Sequence, residues 1–141
     1  DKDMKIRFLE KKNDIGLLIL RLSVGVMMLL HGISKLFNGL GGIQSILASN
    51  NMPEFLSYGV LIGEGVAPIL IIVGLRTRLS AAVMAFNCFF AWFLVHRGEL
   101  FSIGAQGGWA VELLGLFFFG SLTLMFTGGG KYSASKKSMW D

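Results

Sequence analysis

Four apolar stretches, residues 15–37, 55–75, 79–96 and 109–127, dominate this 141-residue chain and leave it little choice of solvent. Each holds roughly 17 to 23 residues, and a helix rising about 1.5 Å per residue needs about 20 to cross the hydrocarbon of a bilayer. The composition agrees: 53% of residues are hydrophobic and the mean hydropathy is +0.63, too apolar for an ordinary soluble domain of this size. The expected fold is therefore all-α, an integral membrane four-helix bundle.

The connecting segments set the expected topology. Lys2, Lys5, Arg7, Lys11 and Lys12 precede the first stretch, Arg76 and Arg78 lie between the second and third, and Lys131, Lys136 and Lys137 follow the fourth. On the other side only Arg97 stands against these ten. Positive charge stays on the cytoplasmic side, so both termini are expected inside a bacterial cytoplasmic membrane. Residues 1–14 read as a basic cytoplasmic segment, of which Asp1 to Asp3 resemble a tag remnant before Met4, and residues 128–141 read as a flexible basic cytoplasmic tail. The segment from Phe37 to Pro53 has an amphipathic middle, Ile43 to Leu47, expected to form a short interfacial helix. The net charge of +4 is thus a matter of topology, and no nucleic-acid partner is expected. One cysteine, Cys88, excludes a disulfide or redox pair within the chain.

Ionisable residues inside the stretches carry the functional signal. An ionised side chain at mid-depth costs about 2.5 to 3.5 kcal/mol on insertion scales, so Arg21, His31, Lys35, Glu64, Asn87, Glu112 and, near the end of the third stretch, His96 must face one another or a wet cavity. At about 100° per residue, Arg21, Gly25, Met28, Gly32 and Lys35 share one helical face, with His31 roughly 80° to its side. Counting about 1.5 Å per residue from the outer ends of the spans places Lys35 near Glu112, and Glu64 near His31 or Arg21. These pairings define an outer-half pocket. Buried ion pairs that only fix helix register are the competing reading. Gly59 and Gly63 have the spacing of a helix-packing motif, and Arg76 and Arg78 are assigned to the membrane interface, against lipid phosphate. Thr77 or Ser80 is expected to cap the third helix. The aromatic runs "NCFFAWF" and "LFFFG" read mainly as lipid-facing or core groups, with the lining of a flat ring-shaped ligand as the minor reading. His31 and His96 stand on different helices without a local ligand motif, so neither metal nor haem is expected.

The elements "LLILRLSVGVMMLLHGISKL", "GEGVAPILIIVGLRTRLSA", "GGWAVELLGL" and "FTGGGKYS" resemble the DoxX family of small bacterial four-helix membrane proteins. The likeness runs from Ile15 to Ser135, and the family pattern lands on Arg21, Gly25, His31, Gly32, Lys35, Glu64, Gly74, Thr77, Arg78 and Glu112. It implies respiratory or sulfur redox chemistry linked to quinones. On this reading the chain is the membrane subunit of a redox system. Arg21, His31, Lys35, Glu64 and Glu112 bind a quinone or another small molecule, and His31 and Glu64 handle protons as the catalytic pair. With no flavin or nucleotide fingerprint, electrons come from a soluble or membrane redox partner. The alternative is a non-catalytic binding, transport or scaffold protein for a small anionic or thiol metabolite, which in its transport form requires a homo-oligomer.

Overall fold

Glycines decide where the helices of this chain meet. In the computed structural model, which describes residues 1–141, five helices form: α1 (Lys2–Asn38), α2 (Gly41–Ser49), α3 (Leu56–Val73), α4 (Thr77–Glu99) and α5 (Glu112–Thr127). A Cβ placed on Gly32 of α1 would overlap the carbonyl of Glu64 in α3, and one on Gly25 would lie 2.6 Å from Ile72. The pairing of 32 with 64 and 25 with 72 makes α1 and α3 antiparallel in close contact. Gly63 plays the same part toward α4, its Cβ position lying 2.6 Å from that of Asn87. Gly59 and Gly65 have open space around them, so within the chain only Gly63 of the Gly59–Gly63 pair packs against a neighbouring helix.

Three helices, α1, α3 and α4, are long and apolar enough to cross a membrane, while α5 is an apolar helix of 16 residues. The fourth apolar stretch thus forms a shorter helix than expected, because residues 109–111 belong to the preceding turn, where Trp109 pairs with Ile103. Helix α1 is much longer than its apolar stretch. Its 37 residues reach about 55 Å, so the basic residues 2–14 continue the helix beyond a hydrocarbon layer of about 30 Å. A short helix does occupy the connection between the first two stretches, anchored by the fully buried Leu47. Core residues Met28, Ile71, Ala81, Met84, Phe117 and Leu124 fill the centre. Large apolar side chains such as Ile19, Leu30, Phe86 and Leu116 point outward, as expected of faces solvated by lipid.

One end of the body holds α2 and the loop 100–111; the other holds the α3–α4 turn and residues 128–141. Those last residues depart from the expected flexible tail. Three arginines tie them and the helix ends together. Arg21, 1% exposed, donates from Nε to the Ile71 carbonyl at 2.9 Å, from Nη2 to that of Ile72 at 2.8 Å, and from Nη1 to that of Tyr132 at 2.9 Å. It therefore closes the C-terminus of α3, whose last carbonyls have no partner within the helix, and fastens the tail to it. Arg78 does the same for α5, donating to the Phe126 carbonyl at 2.6 Å. Arg76, in a left-handed conformation with φ 50, donates from its backbone N and Nη1 to Asp141 Oδ1. Gly74, with φ 82, supplies the turn before it, and Ser135 N donates to its carbonyl at 3.1 Å.

The caps on α4 are likewise supplied from the tail. The amide of Leu79 donates to the Trp140 carbonyl at 3.2 Å, whereas neither Thr77 nor Ser80 caps the helix with its side chain. Arg76 and Arg78, assigned to lipid phosphate from the sequence, make their hydrogen bonds to protein groups. Hydrogen bonds from Ser135 and the Ser138 amide, together with Arg76, hold the Asp141 carboxyl well below its ordinary value of 3.8. A carboxyl so depressed stabilises the docked tail above pH 3.8; the contribution erodes as pH falls below that and is gone once the folded group is protonated. Hydrogen exchange should therefore show the Arg76 and Leu79 amides protected at neutral pH and unprotected in strong acid. Asp141→Ala should lose this protection at every pH, and retained protection would rule out the anchoring role.

Candidate functional site

Glu64 sits in the one stretch of α3 that is not regular α-helix. Residues Ile62–Val66 form a wider π-helical turn, which the flanking Gly63 and Gly65 favour by their weak α-helical preference. Such turns recur at functional sites, since the extra residue redirects a side chain and loosens the backbone bonding. A second π-helical turn, Trp92–His96, lies near the end of α4 and carries His96. Glu64 and His96 face the same cavity of about 280 Å³, with His31, Met28, Val95 and Phe117 also in its wall.

The polar partners differ from those expected from depth alone. Lys35 Nζ forms the ion pair with Glu64 Oε2, not with Glu112. Gly32 is the reason: with no side chain there, α1 approaches the Glu64 backbone, and Lys35, three residues on, lies over the carboxylate. Asn87 Nδ2 donates to the other oxygen, Oε1, at 3.5 Å. Glu64 is 8% exposed, so the pair and the amide together satisfy a charge that the apolar surroundings would otherwise exclude. Asn87, expected from the sequence to face other polar groups or a wet cavity, was given no partner or ligand role there; the structure makes it the second partner of Glu64.

His31 does not bond Glu64 but stands edge-on to Phe117, ring centroids 5.8 Å apart. His96 Nδ1 lies 3.3 Å from Glu99 Oε2. Arg21 is at the opposite end of the body, its donors engaged by carbonyls, and so is not part of the cavity wall. Glu112 is exposed in the first turn of α5, where its charge suits the helix dipole. The cavity wall thus contains His31, Glu64 and His96, with Lys35 and Asn87 bound to Glu64 behind it, and leaves out Arg21 and Glu112.

A second cavity of about 280 Å³ adjoins the first, sharing Val111 and Leu114 with it, and its wall is apolar and aromatic. Trp92 and Trp109 both line it. The indole of Trp109 donates to the Leu100 carbonyl at 2.6 Å, but the buried Trp92 Nε1 has no partner. An unpaired buried donor costs about 1–3 kcal/mol.

The DoxX family model matches residues 16–97, more than half of the chain. This chain belongs to the DoxX family. An uncharacterized protein of Haemophilus influenzae (strain ATCC 51907 / DSM 11121 / KW20 / Rd) is 33% identical over 132 residues, 92% of this chain and 95% of that one. A Bacillus subtilis (strain 168) protein named "Putative oxidoreductase CatD" is 32% identical over 77 residues, 55% of this chain and only 57% of that protein. No solved structure matches. The DoxX match runs from residue 16 within α1 through α2 and α3 almost to the end of α4, and so includes Lys35, Glu64, Asn87 and both histidines, while α5 and the tail lie beyond it.

Removing one member of the ion pair tests its energetic role. Lys35→Met should destabilise the protein by about 2–3 kcal/mol, somewhat less than for a fully buried pair because Lys35 keeps some exposure. The double variant Lys35→Met/Glu64→Gln should recover most of that loss, as read by thermal unfolding in detergent.

Proposed function

We infer that this DoxX-family membrane protein is the membrane subunit of a redox system, and that its polar cavity takes a quinone or a similar small redox molecule. The observation that carries the reading is the placement of Glu64. It lies in a π-helical turn, pairs with Lys35 and forms part of the wall of the cavity that also holds His31 and His96. The residues suit such a molecule: histidine nitrogens can donate to a carbonyl oxygen, and the apolar remainder of the wall suits a ring.

A quinone supplies carbonyl groups whose reduction consumes two electrons and two protons. In this chain His31 is the donor facing the cavity, and Glu64 is the group that can accept and pass a proton. Lys35, 29% exposed at its side chain, links Glu64 to the surface and offers a route for replacing that proton. Electrons come from a partner protein. The name of the Bacillus relative, "Putative oxidoreductase CatD", points the same way. An anion-binding scaffold is less well supported, because that reading relies on Arg21 and Lys35 as free cations, and both are engaged within the protein. The reading includes four spans in the bacterial cytoplasmic membrane, with α2 at the outer interface and both termini inside.

Glu64→Gln introduced in the native host should lower quinone-linked respiration attributable to this protein by about 100-fold, the low end of what a positioned proton-transfer group contributes. Unchanged respiration would overturn the redox reading. For the topology, a reporter that is active only in the cytoplasm should be active at both ends of the chain and inactive when inserted at Gln106.

A further inference from the structure

The apolar cavity beside the polar one is a site in its own right. Its wall contains no exposed polar surface, and aromatic rings from two helices meet across it: Phe89 and Trp92 of α4, Phe118 and Phe119 of α5, with Trp109 from the loop between them. Phe89 and Trp92 stand with ring centroids 5.4 Å apart and planes tilted by 47°, and Phe118 and Phe119 meet edge to face at 5.3 Å. Flat surfaces at these angles suit a planar ring, which gains contact with each of them.

The two indoles in this wall differ in one respect. Trp109 has its N–H occupied by the Leu100 carbonyl and is held in place. Trp92 has its N–H covered by apolar neighbours and no acceptor within reach. The cavity surface itself is apolar, so this donor meets a molecule inside only when the indole turns into the empty volume, and it then pairs with an acceptor that the protein does not supply.

We propose that this second cavity binds a neutral, planar aromatic molecule carrying one carbonyl-type acceptor, and that Trp92 Nε1 donates to that oxygen. The site goes beyond the polar cavity and does not require the redox reading: Glu64, His31 and His96 are not in its wall. The ring supplies the affinity through burial against the aromatic groups. The oxygen supplies selectivity, because only a molecule with an acceptor relieves the unpaired donor.

A matched pair of probes separates the two contributions. In lipid nanodiscs containing the whole chain labelled with 15N, the three tryptophans give three indole N–H signals, of which Trp92 is identified by its loss in Trp92→Phe. Titration with 1-indanone should move the Trp92 signal downfield along a saturable curve, leaving Trp140 unmoved. Indane, the same ring system without the oxygen, should bind roughly two- to tenfold more weakly and give no downfield shift. In Trp92→Phe, probe binding followed by the Trp109 signal should lose the preference for 1-indanone. Equal affinity of the wild-type protein for both probes would overturn the proposal. So would a Trp92 signal that stays in place at saturation, or a preference that survives in Trp92→Phe. The wild-type titration decides the matter even where the variant does not fold. Because respiration is not the readout, a failed Glu64→Gln experiment leaves this result standing, and the converse holds as well.

Discussion

The seating of Gly32 against the Glu64 peptide is the contact on which the rest of the polar site depends. With a side chain at position 32, α1 and α3 would be forced apart, because the Cβ position coincides with a backbone carbonyl that cannot give way. That approach brings Lys35 over the carboxylate and fixes the rotation of α1, which in turn buries Arg21, Val24, Gly25 and Met28 along one face. Gly63 repeats the device on the next pair of helices and delivers Asn87 to the same carboxylate. A buried charge thus depends on two glycines that carry none.

The opposite end of the molecule solves a different problem. Helix termini leave carbonyls and amides without partners, and in a bilayer environment water is a poor substitute near the hydrocarbon. Arg21, Arg78 and the residues 128–141 meet that need: the arginines close the ends of α3 and α5, and the tail carbonyls and Asp141 receive the first amides of α4. These arginines are therefore structural: their planar, multiply donating groups bind several carbonyls at once, which a lysine ammonium does less well.

The predicted inner face of α1 corresponds to the observed one because 3.6-residue periodicity is local and survives any packing arrangement. Depth along each helix was equally legible, yet it placed Lys35 with Glu112 and Glu64 with Arg21 or His31. Depth fixes only one coordinate. The pairing also depends on which helices are neighbours and how closely they approach, and the Gly32 contact selects Glu64 for Lys35. Glu112 falls outside the cluster because residues 109–111 are not helical, which moves it to the exposed first turn of α5. The tail shows a similar limit. Its glycines, serines and lysines read as a flexible segment by composition, whereas its order comes from helix ends far away in sequence.

By itself, the sequence determined the helical class, the membrane-length apolar stretches and the set of ionisable residues that a bilayer would not tolerate unpaired. These follow from local hydropathy and periodicity, which need no knowledge of neighbours. Tertiary structure alone decided which charges meet, that both π-helical turns open on one cavity, and that Trp92 is left without an acceptor beside another. Those outcomes rest on close approach between segments far apart in the chain, and contact of that kind is a property of the assembled helices.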